Sequence, residues 1–543
     1  MSKYQINVVS LLYDYEDYEA ADDLVAGYII AMLRKEGHST SLIEISRGCE
    51  DEDLVKLMQN MPDVVVFTIP RTSNIPELVS FSRYVKSIKH ECKIVLAGWS
   101  HHSAPMNTEL IMEQCSDIDV IIRGEGEHTI TELVDLFIKN ENLDSCLGIT
   151  YRDNGRIIAN DDRPLGSLDE LPFPARDSQL IHNHSSMWIS SARGCLGNCA
   201  FCAIPATRTK NDPVWRGRSP ENVVEELKYL NNTYNIKQFN FLDPTFEDPG
   251  HKGKERIRKI AELILESDLD ITFLAHMRAE NWSEDDSVLM ELLYLAGLES
   301  VLVGVEAGNN SSLQLFNKRA KVENYFSFVD LTSKFNINID CGFIMFHPYS
   351  TFEDLTANAD FLKKIGLADT LCTYSSKLYL FPNTRIYQKL QEDNMLLYQG
   401  EGIYTLYDYK FLDERVKRLS DKMLTVNTVL SEKAFFHFKG ITKLVTYISR
   451  MRRKMLKSSV LGHEYLSDNL SILEEAVRDM RKDIDDLNHT WFLNCIDWVK
   501  NDGSDNEFSE MLKDHLLKIE EKIYKVQKIQ LKYGMSIQRS LKI

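Results

Sequence analysis

The sequence predicts an α/β fold in three parts: an N-terminal doubly wound Rossmann-like domain, a (β/α)6 partial TIM barrel and a C-terminal all-α domain. Three observations carry this. Short apolar runs alternate with amphipathic helical stretches between residues 5 and 140, and such alternation builds a parallel sheet. The same alternation restarts at residue 187. After residue 408 the strand pattern fades into Lys/Glu-rich amphipathic stretches. The expected domains are 1–147, a hairpin and linker at 148–186, the barrel at 187–407 and the helical part at 408–543.

In the first domain the apolar runs 5–11, 40–44, 63–68, 93–97 and 117–122 read as strands. Helices fit 21–37, 51–60, 76–89, 107–115 and 126–139. Ligands on sheets of this kind bind beyond the strand carboxyl ends. Three loops there stand out: 69–74 (IPRTSN), 98–105 (GWSHHSAP) and 123–127 (RGEGE). Residues 148–160 alternate apolar and polar around an Asp-Asn-Gly turn, a β-hairpin signal. The proline-rich stretch 169–176 (DELPFPAR) reads as an extended interdomain linker.

Barrel strands are expected at 187–192, 238–242, 271–276, 300–305, 338–345 and 370–380. The first barrel helix fits 220–234, with Ser219 as its N-cap. Loops at the carboxyl ends of barrel strands carry chemistry. Tail helices are expected at 414–438, 443–456, 467–487 and 508–533. Their aromatics, Phe435, Phe436, Phe438, Trp491, Phe492 and Trp498, read as helix-packing core. The alternative is a lid over the open barrel.

The chain has 543 residues, more than one domain holds, and 43% of them are hydrophobic, enough for large cores. Lys+Arg number 63 against Asp+Glu 81, a net charge of −18. That balance argues against a nucleic-acid surface, which needs basic patches to displace counterions. The N-terminus lacks a signal-peptide pattern. No membrane span is expected, because no apolar run reaches about 18 residues. Seven of the ten cysteines are scattered through mostly apolar surroundings. They read as free thiols in a reducing cytoplasm rather than as a disulfide framework.

The other three cysteines, Cys195, Cys199 and Cys202, share the loop 191–202 (SARGCLGNCAFC). Three thiolates this close suit three corners of a cubane, and glycines at 194 and 197 let the backbone approach. Iron–sulfur clusters usually take four cysteines. Three local ligands would leave one iron of a [4Fe–4S] cluster open to a small molecule. A structural zinc site would instead want four closed ligands, and no second cysteine pair follows.

With Phe201 just before the last cysteine, this loop resembles the signature of the radical S-adenosylmethionine (SAM) superfamily. The resemblance implies that the open iron chelates SAM and that electron transfer cleaves it to a 5′-deoxyadenosyl radical. Further segments resemble the family in order. Asp243 and Phe246 match an Asp-Asp-x-Phe segment, with Pro244 replacing the second acid. Glu306 lies in Gly304-Val-Glu-Ala-Gly308, matching Gly-x-Glu-x-Gly, and Lys318 follows as the family lysine does. A Gly-x-Pro-x-Glu-Thr pattern is met by residues 346–351, with Phe346 and Ser350 replacing its glycine and glutamate. The segment 381–384 (FPNT) also matches. The resemblance implies SAM contacts from Phe201, Asp243, Glu306, Arg216 and Lys318. Arg216 and its neighbour Arg218 suit bidentate contacts to carboxylate or phosphate.

The three N-terminal loops resemble the cobalamin-binding domain of one radical SAM class. Gly98, His101 and Ser103 match its Gly-Gly-x-His-x-Ser segment, with Trp99 replacing a glycine. Gly124, Glu125, Gly126 and Glu127 match its Gly-Glu-Gly-Glu segment completely. The resemblance implies cobalamin contacts from these residues and from Arg71, Thr72 and Ser73. Trp99 would narrow the cofactor groove or stack on the nucleotide base. Arg71 would face the lower side of the corrin or remain solvated. The Asp-x-His-x-x-Gly motif fails at 23–27 (DLVAG), which lacks the histidine, so no histidine ligand to cobalt is expected.

The resemblance implies a cobalamin-dependent radical SAM methyltransferase with a [4Fe–4S] cluster, SAM and methylcobalamin. Its substrate would be small or peptide-derived, methylated at an unactivated carbon, and its reductant a flavodoxin or ferredoxin. The alternative is a non-methylating rearrangement or ring-forming reaction on the same scaffold. No residue is singled out as a catalytic acid, base or nucleophile.

Overall fold

The computed structural model describes residues 4–12, 23–46, 51–69, 75–99, 107–208, 212–402, 406–429, 431–457 and 463–540. They form two compact units. The first holds Met1–Leu196, Phe201–Leu242 and Leu380–Asp408; the second holds Gly197–Ala200, Asp243–Tyr379 and Tyr409–Ile543.

The first unit opens with β1 (Gln5–Leu12), α1 (Leu24–Lys35), β2 (Ser39–Ser46), α2 (Asp51–Leu57), β3 (Val64–Ile69), α3 (Ile75–Ile88), β4 (Lys93–Trp99), α4 (Thr108–Gln114), β5 (Val120–Ile122) and α5 (Glu127–Lys139). Strands β1 to β5 pair in parallel in the order 2-1-3-4-5. Their apolar runs are continuous because both faces are covered. Val64 and Val66 of β3 enter one core with α1 and α5. Val65 and Phe67 enter the other with α2 and α3.

Strands β6 (Ile149–Asp153) and β7 (Arg156–Ala159) form the hairpin, turning at Asn154 (φ 45°) and Gly155 (φ 79°). β6 pairs antiparallel with β5 and extends the sheet to seven strands. The proline-rich stretch is docked on α1. Leu168 and Leu171 pack with Leu24, Tyr28 and Met32 of α1. The Ala175 amide donates to Gly27 O at 2.9 Å. A Cβ at Gly27 would lie 2.7 Å from Ala175 O, so this position needs glycine for close approach.

The unit continues through α6 (Asp177–His182), β8 (Ser186–Ile189), β9 (Ala192–Gly194), α7 (Ala203–Thr207), β10 (Trp215–Gly217), α8 (Pro220–Tyr234) and β11 (Gln238–Phe241). β8 and β11 pair in parallel. β9 and β10 form a separate antiparallel ribbon. Ser219 caps α8 as expected, accepting from the Asn222 amide.

The second unit holds α9 (Gly250–Glu266), β12 (Thr272–Met277), α10 (Ser287–Ala296), β13 (Leu298–Glu306), α11 (Asn310–Leu315), α12 (Val322–Ser333), β14 (Asn338–Phe343) and α13 (Phe352–Lys364). β12, β13 and β14 run parallel. The expected sixth strand is instead a 3-10 turn, Leu371–Ser375, followed by one parallel bridge from Phe346 to Lys377. The reason is local: hydroxyls of Ser375 and Ser376 donate to the carbonyls of Cys372 and Thr373, competing with a strand ladder.

The tail is helical at Glu414–Val429, Ser431–Lys457, His463–Lys500 and Asp505–Ser540. The first two expected segments are redrawn. Residues 438–443 lie inside the helix Ser431–Lys457 rather than between two helices. The tail packs on its own unit's strands and helices. Phe492 lies against Phe346 and Tyr374 at 6.3 and 4.9 Å, and Arg450 pairs with Glu299 of β13. Trp491 and Trp498 are core, as expected; the side chains of Phe435, Phe436 and Phe438 lie outside the described residues. No helix among the described residues is long and apolar enough to cross a membrane.

Candidate active site

In the first unit, β9 leads into Cys195. Gly194 sits at φ 86°, and a Cβ there would collide with Val214 O. Only glycine suits that turn. Cys195 and Cys202 are half-buried and not disulfide-bonded. In the second unit, the loop's centre is tied to the turn after α11. The Ala200 amide donates to Phe316 O at 2.7 Å, and Asn317 Nδ2 to Asn198 O at 2.6 Å. Cys199, also half-buried, lies between these two ties. By contrast, burial pushes the thiols of Cys92, Cys115 and Cys146 up to about 11. They are inert core groups.

Two residues after that turn comes Lys318. Its ammonium stands 3.7 Å from Glu306 Oε1, with side-chain exposures of only 5% and 14%. Glu306 ends β13 at φ 68°. Holding a non-glycine residue there costs about 1–3 kcal/mol. The local sequence makes room: a Cβ at Gly304 would collide with Glu306 Oε1. Gly308 lies against Phe361, and its amide is held by Asn358 Oδ1 at 2.8 Å.

Glu280, not anticipated from the sequence, completes the group. Arg278 donates to its Oε1 at 2.7 and 3.0 Å, while Oε2 is buried without a partner. Burial raises its carboxyl, but Lys318 and Arg278 overcome this and hold it below the usual range. Burial pushes the Glu306 carboxyl up, against Lys318. One ammonium therefore serves two carboxylates. The Tyr325 hydroxyl, in the same field, is also buried without a partner. Its sequence signal was only a tyrosine on an amphipathic helix.

The other expected SAM residues differ in setting. Asp243 is fully buried, 3.9 Å from Arg256. Phe201 is half-buried. Arg216 lies in the first unit, where its guanidinium donates to Gly166 O at 2.6 Å and to Glu125. Arg218 is buried and its carboxylate is internal, Glu226. Phe346 and Ser350 serve packing and a turn, with Ser350 Oγ accepting from the His347 amide at 2.9 Å. Burial pushes the His347 ring down to about 4, leaving it neutral against Ser312 Oγ.

At the carboxyl ends of β1 and β3, Asp23 Oδ2 accepts from Ser10 and Thr68 hydroxyls at 2.8 and 2.7 Å. Its Oδ1 caps α1 through the Val25 and Ala26 amides. The failed motif at 23–27 is thus a cap followed by a close-packing glycine. Gly124 (φ 70°) opens onto space: a Cβ there would meet nothing within 4 Å. Glu125 and Glu127, expected at cobalamin, pair with Arg193 and Arg216. Gly98 and Trp99 end β4. Arg71, Thr72, Ser73, His101 and Ser103 lie outside the described residues.

The radical SAM superfamily model matches residues 189–362, and the B12 binding domain model matches residues 18–134. The chain is a radical SAM protein with a B12-binding domain. It is 29% identical over 408 residues to an uncharacterized methyltransferase of Pyrococcus horikoshii, covering 73% of this chain and 85% of that one. It is 23% identical over 444 residues to 4'-phospho-dehydrooxetanocin synthase of Priestia megaterium, covering 76% of this chain and 58% of that one. Its fold is similar to the cobalamin-dependent radical enzyme OxsB with aqua-cobalamin and SAM bound: TM-score 0.67, 19% identity, 95% of this chain and 84% of that chain.

The radical SAM, B12-binding architecture carries a [4Fe–4S] cluster, SAM and cobalamin. This chain's residues fit the first two. Three half-buried thiols sit in one loop, and beside Cys199 the Glu306–Lys318–Glu280 group, balanced by Arg278, offers two carboxylates and orphaned polar atoms to a ligand that brings its own donors. For cobalamin, the open space at Gly124 fits a ligand at the sheet's carboxyl edge.

Proposed function

We propose that this radical SAM protein is a cobalamin-dependent methyltransferase. It would move a methyl group from SAM to an unactivated carbon of a small-molecule or peptide-derived substrate. The observation that carries this is the three-cysteine loop with its unfinished Glu306–Lys318–Glu280 group in a chain that also bears a B12-binding domain. The methyltransferase relative aligns over most of its own length, which supports the same reading. When bound, the cluster supplies the electron that cleaves SAM, and cobalamin supplies the methyl group.

The chain's own residues bind and orient. Cys195, Cys199 and Cys202 hold the cluster. Glu306 accepts hydrogen bonds from the ribose hydroxyls or the methionyl ammonium of SAM, since a carboxylate suits both donors. Lys318 keeps that buried carboxylate tolerable until the ligand arrives. Phe201 and Asp243 are assigned to the SAM pocket. Gly98, Trp99, Gly124, Gly126 and the loops with Arg71, Thr72, Ser73, His101 and Ser103 are assigned to cobalamin. The domains fall at 1–147, 148–186, 187–407 and 408–543. The protein works in the cytoplasm with a flavodoxin or ferredoxin reductant and no nucleic acid.

The synthase relative favours a second reading, a rearrangement or ring-forming reaction. One experiment separates the two: turnover with methyl-deuterated SAM. Methyl transfer raises product mass by the labelled group and releases S-adenosylhomocysteine. 5′-Deoxyadenosine without label in the product assigns the second reading.

A further inference from the structure

The strand that delivers Cys195 cannot stand alone. β9 and β10 have three residues each, and an isolated two-stranded ribbon is marginal in water. Their register also places Arg193 directly opposite Arg216. Like charges facing across a ladder destabilise it. Something outside the ribbon must hold both guanidiniums.

The Gly-Glu-Gly-Glu loop does so. Glu125 Oε2 takes Arg193 at 2.7 Å, and its other oxygen takes Arg216. Glu127 Oε1 takes Arg193 at 2.6 Å. Tyr28 of α1 lies under the Arg193 guanidinium, 5.1 Å from ring centroid to Cζ. The loop is itself anchored. Arg123 donates to Ile149 O at 2.6 Å and to Thr150 Oγ1 at 2.8 Å, and pairs with Asp162 at 3.0 Å. Every member lies in the first unit.

We propose that Glu125 and Glu127 are positioning residues: they clamp Arg193 and Arg216 and so fix the strand that sets Cys195, rather than contacting cobalamin. The B12-binding domain thereby holds one cysteine of the cluster loop in place through side-chain charge, two residues upstream. This rests on the cofactor reading above. Gly194 has no side chain to clamp, so Arg193 is the nearest side chain upstream of Cys195 through which charge can hold the strand. Arginine suits the task because its fork donates to two carboxylates at once.

The test uses the full chain, reconstituted anaerobically, as wild type, Glu125→Gln, Glu127→Gln, Glu127→Asp and Arg193→Gln. Iron per chain, electron paramagnetic resonance of the reduced cluster with and without SAM, and bound cobalamin are measured. In cofactor-free protein, backbone amide exchange is followed at residues 193–196. Glu127→Gln and Arg193→Gln should give the same altered cluster spectrum and at least fivefold weaker SAM binding. Exchange at 193–196 should rise several-fold, and Glu127→Asp should recover part of both effects. Cobalamin content should stay at the wild-type level. Wild-type cluster spectra and exchange in Glu125→Gln and Glu127→Gln would overturn the clamp. So would lost cobalamin with an unchanged cluster spectrum, which would assign the carboxylates to the corrin. Should Glu127→Gln fail to fold, Glu125→Gln, at a more exposed position, carries the same test. Wild-type protein without a cluster would defeat the cofactor reading instead.

Discussion

Two buried groups of acids and bases invite comparison, one in each unit. In the first, Arg176 and Arg218 bracket Glu226, and both carboxylate oxygens are taken, at 2.8 Å by Arg176 and on the other side by Arg218. Arg218 also donates to Ser190 O at 2.9 Å and Asn222 Oδ1 at 2.6 Å. In the second, Lys318 serves Glu306 and Glu280, and a Glu280 oxygen and the Tyr325 hydroxyl have no partner. In the first, closed group both carboxylate oxygens are satisfied from within. In the second, open group, Lys318 and Arg278 balance the two carboxylates, yet one Glu280 oxygen is left over and Glu306 sits at φ 68°. An orphaned carboxylate oxygen is costly unless a ligand completes it, and of these two groups the second leaves one.

The comparison can be broken most sharply at the closed group. Glu226→Gln leaves two guanidiniums buried without a counter-charge. Removing one partner of a buried pair costs about 3–5 kcal/mol. The expected result is that loss in a urea titration, with SAM binding intact in the fraction that folds. A stable variant with weakened SAM binding would reverse the roles assigned to the two groups.

Glu247 sharpens it next. Its Oε1 accepts from the Arg278 amide and Asn281, while Oε2 is buried without a partner. Burial pushes its carboxyl up to about 7. An acid whose folded pKa is raised is protonated in the folded chain while the unfolded chain has already ionised. Its contribution therefore falls as pH rises from about 4.5 to about 7, by roughly 3 kcal/mol at most. Glu247→Gln should remove that slope and stabilise the protein at pH 8. An unchanged slope between pH 5 and 7 would show that Glu247 is not the group responsible.

At the open group, Glu306→Gln removes a charge-assisted acceptor worth about 1.5–3 kcal/mol, so SAM affinity should fall roughly 10- to 100-fold. Stability should hardly change, since Lys318 keeps Glu280. Isothermal titration with SAM and a thermal melt decide this together. Unaltered affinity would remove Glu306 from the site.

The smallest effect is expected at Tyr325. Deleting an unsatisfied buried hydroxyl is neutral or stabilising by up to about 1 kcal/mol. Tyr325→Phe should therefore melt at or above the wild-type temperature without SAM, while binding SAM a few-fold more weakly. Destabilisation would mean the hydroxyl already has a partner, and the group would be less open than it is drawn here.

What the sequence determined was whatever depends on neighbours along the chain. Periodicity set most strands and helices, because burial of one face or both repeats at fixed intervals. Cysteine spacing and the glycine before Cys195 set the cluster loop. The loop motifs set the superfamily. Tertiary structure decided the rest. Serine hydroxyls at 375 and 376 turned an apolar run into a 3-10 turn. The hairpin's place on β5 and the docking of the linker on α1 were not written locally. Arg193 meets Glu127 across 66 residues, and Arg216 meets Glu125 across 91. Glu280 joins Lys318 from another strand end. A carboxylate shows no local sign of which cation it will face. That choice is made by desolvation and Coulomb attraction only once the chain has closed around both.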